Sequence, residues 1–179
     1  MVAMAVSRFG FETLYHAPLN ERVSGRGSVL SNTERGKAFQ VLCSDALGGR
    51  LGREIDLEVP ILISGNKFHT FDLATKERDI IAECKAFGFT ASGNIPSAKI
   101  TTLREAAMYL HMIRGKAVRL LIVKHAPHPT RGETLGRYFV RLNGHHLEQV
   151  GVLEMPETGG PLVCIHGDFP LGVLKEQIT

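Results

Sequence analysis

The hydrophobic and polar positions of the chain fall into short apolar or alternating runs that glycine- and proline-rich segments separate. Runs with two-residue alternation, or with a continuous apolar stretch, predict β-strands. The dipeptide Asn143-Gly144 between two such runs predicts a β-hairpin. Strands are therefore predicted over 38–43, 55–63, 67–73, 117–123, 137–142 and 145–153, with 161–165 as a candidate for one more.

Two further segments have the apolar spacing of helices. The first helix is predicted over about 76–87, with Thr75 as its N-cap and Gly88 directly after its end. The second is predicted over about 103–114, because Thr102 and Glu105 have the spacing of a capping box. The inner faces consist of Ile80, Ile81, Cys84 and Phe87 in the first helix and of Leu103, Ala106, Ala107, Leu110 and Ile113 in the second.

This order of elements predicts an α+β fold with a mixed or antiparallel sheet and two main helices. The length of 179 residues fits a single domain over 1–179. Residues 16–37 are rich in Gly, Ser, Asn and Arg, which predicts a mobile loop region. A glycine-rich turn is predicted over 48–53.

Cysteine usage and hydropathy indicate where such a chain is found. The three cysteines are widely spaced and form no C-x-x-C pair, which argues against a disulfide framework or a zinc ribbon. No apolar run approaches the roughly 20 residues of a membrane helix, and the first residues do not have the pattern of a signal peptide. We therefore expect a cytoplasmic protein without membrane insertion.

Positive charge is concentrated in the middle of the chain. The stretch 99–141 holds nine basic and two acidic side chains, although the net charge of the whole chain is only +3. Such asymmetry is typical of proteins with a polyanionic partner, and it predicts DNA binding. The alternative is a solvated face that the acidic residues after it balance. The candidate nucleic-acid-binding residues are Arg104, Arg114, Lys116, Arg119, Arg131, Arg137 and Arg141.

Established catalytic motifs are absent from the sequence. It contains no H-E-x-x-H metal motif, no phosphate-binding P-loop and no G-x-S-x-G nucleophile elbow. Arg50 and Arg53, in the glycine-rich turn, are candidates for a forked clamp on a phosphate group. The alternative is a turn without a ligand.

The start of the predicted first helix is the main candidate for chemistry. A helix N-terminus presents free N–H groups and partial positive charge, so Thr75, Lys76 and Arg78 there predict a phosphate pocket. Glu77 is the candidate to position a water or a metal ion, or to act as general base. The alternative is an exposed, charged first turn.

The segment 60–89 resembles the ParB/sulfiredoxin superfamily. Pro60-Ile61, Glu77-Arg78 and Gly88 follow the order of that superfamily's strand, its charged box at a helix start and its closing glycine. There is no Cys-His-Arg box, so chemistry on oxidised cysteine is not implied. Within that superfamily, a stand-alone α/β domain with a basic central stretch resembles the plasmid fertility-inhibition proteins of the oncogenic-suppression (Osa) type.

That resemblance implies an ATPase and nuclease activity, with ATP and Mg²⁺ as cofactors and with a conjugative secretion machinery as a partner. The hypothesis from sequence is therefore a DNA-directed nuclease or nucleoside-triphosphate hydrolase that blocks conjugative transfer of a plasmid. Two alternatives remain, a non-catalytic nucleic-acid-binding accessory protein and a protein-interaction inhibitor module.

Overall fold

The computed structural model describes residues 30–167, which form an α+β fold with a mixed six-stranded sheet. This part of the chain contains three α-helices and one short 3-10 helix, where the sequence predicted two main helices. The helices are α1 (Asn32–Leu51), α2 (Ser97–His111) and α3 (Leu135–Asn143). The strands are β1 (Ile55–Ser64), β2 (Lys67–Thr75), β3 (Ile80–Lys85), β4 (Val118–Lys124), β5 (Val150–Met155) and β6 (Val163–His166).

The strands lie in the sheet in chain order, from β1 to β6. The pairs β1–β2, β2–β3 and β5–β6 are antiparallel, and the pairs β3–β4 and β4–β5 are parallel. The helices α2 and α3 connect the parallel strands. They cover one face of the sheet, where Leu103 and Phe139 pack. The other face packs against α1 through Phe39 and Leu47. The central strands are therefore buried on both faces.

Helix α1 occupies a segment where the sequence predicted a strand over 38–43 and a turn over 48–53. A capping box starts it, with the Glu34 amide donating to Ser31 Oγ at 3.2 Å and the Ser31 amide donating to Glu34 Oε2 at 2.7 Å. The buried residues Phe39, Cys43 and Leu47 are four apart, which is helical spacing. The strand prediction was wrong because Phe39 and Cys43 also fit a two-residue alternation. Residues 32–37 of the predicted loop belong to α1, and 16–29 lie outside the described residues.

The predicted helix over 76–87 is also wrong. Residues 76–79 form a turn, and Ile80–Lys85 is strand β3. Thr75 lies at the end of β2, where its Oγ1 accepts a hydrogen bond from the Ile80 amide at 3.1 Å. Because β3 is covered on both faces, its apolar positions do not alternate, and a short buried strand then resembles a helix in sequence.

The predicted hairpin over 137–142 and 145–153 is wrong in its first half. Leu135–Asn143 is helix α3, and Thr134 is its N-cap, accepting from the Arg137 amide at 3.2 Å. Asn143-Gly144 leads into the 3-10 helix and then to β5. The predicted strands at 55–63, 67–73, 117–123 and 161–165 are confirmed as β1, β2, β4 and β6. Helix α2 is confirmed but begins at Ser97, so the Thr102–Glu105 capping box does not form.

Candidate functional site

The site is built where β2 and β3 separate. Their ladder pairs Leu73 with Ala82 and Ala74 with Ile81, and it ends there. One step further, the Asp72 carbonyl accepts a hydrogen bond from Gln40 Nε2 of α1 at 2.8 Å. The Asp72 carboxylate accepts one from the Cys84 amide at 2.7 Å. Side chains thus replace the backbone partners that a continued ladder would supply, and the two strands open beside Asp72.

Three charged side chains meet at this opening, and we call them the Asp72–Glu83–Lys85 cluster. Glu83 and Lys85 are two residues apart on β3, so they lie on the same face of the strand. Lys85 Nζ is 3.1 Å from Asp72 Oδ2 and also donates to Glu83 Oε2. The side chains of Asp72, Glu83 and Lys85 are 26%, 5% and 18% exposed, so the cluster is largely withdrawn from water yet open at Asp72.

Burial and mutual charge set the ionisation of the cluster. Burial raises the pKa of Glu83, the nearby Asp72 carboxylate raises it further, and Lys85 opposes both effects. Burial acts to lower the pKa of Lys85, but the charges of Glu83 and Asp72 outweigh it, and the pKa of Lys85 is raised. Lys85 is therefore a stable ammonium group between two acids. With both acids ionised, the cluster has an excess of one negative charge.

His69 holds the second oxygen of Glu83. Its Nε2 lies 2.9 Å from Glu83 Oε1. The imidazole ring stacks on Tyr109 of α2, with the ring centroids 3.9 Å apart, and meets Phe71 edge-on at 4.7 Å. Both carboxylate oxygens of Glu83 therefore have fixed partners, and its side chain has a defined orientation.

A cavity of about 330 Å³ opens next to the cluster, and we call it the basic cavity. Its walls come from the start of α1, the ends of β3 and β4, the segment after β3 and the start of α2. The cationic groups that line it are Arg35, Lys85, Lys99 and Lys124, and Phe87 and Phe89 supply aromatic rings. Glu157 bridges two of the cations, at 2.6 Å from Arg35 and 3.1 Å from Lys124.

The residues that the sequence singled out as catalytic lie at the other end of β3. Lys76, Glu77 and Arg78 belong to the turn before this strand, while Lys85 is at its end. A six-residue strand separates its ends by about 17 Å. The turn is tied to β4 by the Val118 amide, which donates to the Asp79 carbonyl at 2.7 Å.

The structure does bring several of the other predicted residues to this turn. Arg53 donates to Asp79 at 2.8 and 2.9 Å and also to Glu77. Arg78 donates to Asp56 at 2.7 Å. These pairs join the turn to the segment after α1. Arg50, in the last turn of α1, and Lys76 are exposed.

Ion pairing dominates the electrostatics of the turn. Hydrogen bonds from Arg53 and then Thr75 lower the pKa of Asp79 to about 2. The hydrogen bond from Arg53 also lowers the pKa of Glu77, and the two acids raise the pKa of Arg53. The positive charges of Arg53 and Arg78 are thus matched by neighbouring carboxylates, which is the arrangement of a structural surface turn.

The basic stretch does not line the basic cavity, apart from Lys99 and Lys124. Arg119 is buried, at 8% exposed, and donates to the carbonyls of Ile113 at 2.7 Å and Gly115 at 3.2 Å. Arg119 therefore holds the connection between α2 and β4 in place. The other candidates are exposed: Arg104 on α2, Arg114 and Lys116 before β4, Arg131 before α3, and Arg137 and Arg141 on α3.

Two of these exposed arginines already have partners. Arg104 Nε donates to Asn143 Oδ1 at 2.7 Å, which joins α2 to the end of α3. Arg141 donates to Glu133 at 2.9 and 3.1 Å and lies over the Tyr138 ring at 5.2 Å. Both therefore help to fix α3 in place.

Sequence reasoning missed the Asp72–Glu83–Lys85 cluster. The signal was the sequence Glu83-Cys84-Lys85, with Asp72 on the strand before it. On a helix, residues two apart point away from each other, so the helix prediction over 76–87 separated Glu83 from Lys85. Only the assignment of β3 as a strand brings the three together.

Fold and site together define a class: an α+β protein whose mixed sheet holds two carboxylates and a lysine at a strand opening, next to a basic cavity. Comparison of the chain with models of protein families, with curated proteins and with solved structures finds no match. The resemblance to the ParB/sulfiredoxin superfamily therefore stays a prediction.

Two observations complete the description of the site. Within 30–167, no three side chains of the types His, Cys, Asp and Glu are grouped so that they alone would hold a metal ion. In the same range, no helix has both the length and the apolar character needed to cross a membrane.

Proposed function

We propose that this chain is a divalent-metal-dependent nuclease in which Asp72, Glu83 and Lys85 act together on a phosphodiester bond. The observation that carries the proposal is the cluster itself. Two carboxylates and a lysine meet at a strand opening that a basic cavity adjoins. DNA is the expected substrate. Action on DNA bound for conjugative transfer, as a plasmid fertility-inhibition factor, stays a prediction from the sequence resemblance.

The donor set of the cluster suits Mg²⁺ or Mn²⁺. Both ions prefer carboxylate oxygen, and Mg²⁺ is commonly bound by only one or two carboxylates, with waters and substrate phosphates as the other ligands. Asp72 and Glu83 would hold the ion, and the excess negative charge of the cluster favours a cation. Such an ion, when bound, polarises a phosphoryl oxygen and lowers the pKa of a bound water.

The residues of the chain have separate tasks in this proposal. Lys85 supplies an ammonium group where negative charge develops on the phosphoryl oxygens in the transition state, and preorganised donors of this kind contribute strongly to catalysis. His69 fixes the orientation of Glu83, and partners behind a metal ligand tune its affinity. The cations of the basic cavity attract the phosphate backbone, which is the main source of affinity for nucleic acid.

The proposal is tested by incubating the purified protein with supercoiled plasmid and with linear DNA, with Mg²⁺, with Mn²⁺ or with EDTA. The wild type is expected to cleave DNA only with metal. Asp72→Asn, Glu83→Gln and Lys85→Met should each lower the rate by at least about a hundredfold, since removing one transition-state donor alone costs about 10²–10³. Glu77→Gln is the matched control, because it removes an acid of the same type from the other end of β3.

The outcomes separate the hypotheses. Turnover that Asp72→Asn loses and Glu77→Gln retains supports the proposed site. The reverse result moves the site to the turn at 76–79. Salt-sensitive DNA binding without turnover overturns the nuclease and leaves an accessory binding protein. ATP is included as a further substrate, so the same variants test the prediction of nucleotide hydrolysis.

A further inference from the structure

The segment after β3 carries aromatic rings from the cluster into the basic cavity. Phe87 and Phe89 follow Lys85 at two-residue intervals, and both line the cavity. Both are only half-buried. Lys99 Nζ lies 5.9 Å from the centre of the Phe87 ring. Aromatic rings interleaved with cations are the combination by which proteins bind single-stranded nucleic acid, since rings stack on bases and cations contact phosphates.

We propose that the basic cavity binds one unpaired nucleotide next to the bond to be cleaved, so that the substrate is nucleic acid with an unpaired strand. This inference rests on the proposed function. A volume of about 330 Å³ is at the lower end for ligand pockets. A cavity of this size suits one nucleotide. Only an unpaired base, released from its neighbours, offers its face to Phe87 or Phe89.

Lys124 is placed to contact the phosphate of that nucleotide. Its side chain is 13% exposed, and Glu157, at 3.1 Å, is its acidic partner. Glu157 is 44% exposed, so it can turn into water when a phosphate takes its place beside Lys124 and Arg35. The phosphate would then share the cavity with Lys85 of the Asp72–Glu83–Lys85 cluster, since both lysines line it.

Gly88 gives a way to fill the cavity without changing its charge. A Cβ at this position would lie 3.7 Å from Lys124 Nζ and 3.5 Å from Ala126 Cβ, which is ordinary van der Waals contact. A Cβ therefore fits at position 88, and because Gly88 lines the cavity, a leucine there should take up part of its volume. Gly49, in α1, does not line the cavity, and a Cβ added there would meet no heavy atom within 4 Å, so Gly49→Leu is the matched control.

The test measures binding in EDTA, where no cleavage occurs. Fluorescence polarisation is recorded with a labelled single-stranded oligonucleotide, as DNA and as RNA, and with the blunt duplex that the same oligonucleotide forms with its complement. We expect the wild type to bind the single strand at least about tenfold more tightly than the duplex, given the energy of base–aromatic stacking. Gly88→Leu and Phe87→Leu should each lose about tenfold in affinity for the single strand. Gly49→Leu should lose none.

Equal affinity for single strand and duplex would overturn the inference, as would unchanged binding by Gly88→Leu and Phe87→Leu. Circular dichroism verifies that each variant is folded, and Phe87→Leu still decides the matter if Gly88→Leu does not fold. Because the readout is binding, it is independent of turnover. A protein that binds single strands through the cavity but cleaves nothing with metal would retain the single-strand binding site and refute the nuclease proposal.

Discussion

Replacing Lys85 by methionine is the sharpest physical test of the Asp72–Glu83–Lys85 cluster. Methionine keeps much of the length and apolar volume of the lysine stem, and it removes the ammonium group that contacts both carboxylates. The variant leaves Glu83 nearly buried, at 5% exposed, and without a cation. We expect a loss of stability that is electrostatic in origin.

The magnitude follows from the burial of the three groups. Removing one partner of a buried ion pair costs about 3–5 kcal/mol, because an uncompensated charge stays behind. The side chain of Asp72 is 26% exposed and that of Lys85 is 18% exposed, so water offsets part of this penalty. We therefore expect the free energy of unfolding to fall by about 2–4 kcal/mol at pH 8.

The pH dependence follows from the raised pKa of Glu83. A folded-state pKa above the ordinary value of 4.5 means that the native state holds the proton more tightly than the unfolded chain does. The stability that this contributes is present in acid and is lost as pH rises through the folded-state pKa. Without Lys85, the main influence that lowers this pKa is gone, so the pKa rises further. The deficit of Lys85→Met should be largest at pH 8 and should shrink towards pH 5.

The assay is urea unfolding in EDTA at several pH values. The chain has no tryptophan, so far-UV circular dichroism is the probe. Lys37→Met, an exposed lysine on α1, is the control and should change stability by no more than about 0.5 kcal/mol. The double variant Lys85→Met with Glu83→Gln should recover part of the loss. A deficit that is the same at pH 5 and pH 8, with no recovery in the double variant, would refute the electrostatic reasoning.

Three further changes test packing and ion pairs elsewhere in the fold. Gly136→Ala should lower the free energy of unfolding by about 1–3 kcal/mol in urea, because a Cβ there overlaps Glu154 Oε1; an unchanged midpoint would contradict the packing. Arg119→Met should cost about 2–3 kcal/mol in the same assay, since it removes charged hydrogen bonds to the buried Ile113 carbonyl and to the Gly115 carbonyl; a loss below about 0.5 kcal/mol would show that these hydrogen bonds do not stabilise the fold. Arg53→Met should be less stable than wild type above pH 4, and the difference should shrink as the pH falls through about 2, because the low pKa of Asp79 stabilises the fold only where its carboxyl is ionised in the native state. A difference that is as large at pH 2 as at pH 4 would show that Arg53 acts through packing.

The elements that are predicted correctly from the sequence have a local residue pattern that fits only one type of secondary structure. In β4 the apolar run is bounded by Lys116 and Lys124 and is too short for a buried helix. The hairpin of β1 and β2 turns at Gly65-Asn66, and Gly65 has a φ of +49°, a left-handed conformation that glycine adopts without strain. In such places, local chemistry is sufficient.

Two elements were mistaken because their local signals conflict with the tertiary structure. Asn143-Gly144 favours a hairpin, but α3 continues to Asn143, whose Nδ2 donates to the Phe139 carbonyl at 2.8 Å within the helix. In α1, the alternation around Phe39 and Cys43 favours a strand, and the capping box that starts the helix lies eight residues before Phe39, at Ser31. Packing against the sheet decides both cases, and packing is not readable from a short window.

The candidate site depends on strand register more than on residue type. Pairing of Leu73 with Ala82 places Asp72 opposite Glu83, where the strands begin to part. A slip of one residue would turn the β2 side chains to the other face of the sheet and separate the two carboxylates. The sequence contains Asp72, Glu83 and Lys85, but their local pattern does not specify this register. Helix α1 helps to stabilise it, because Gln40 donates a hydrogen bond to the carbonyl of Asp72, which is 32 residues later in the sequence. The chemistry of the cluster is therefore a property of long-range pairing, and a motif search along the chain does not find it.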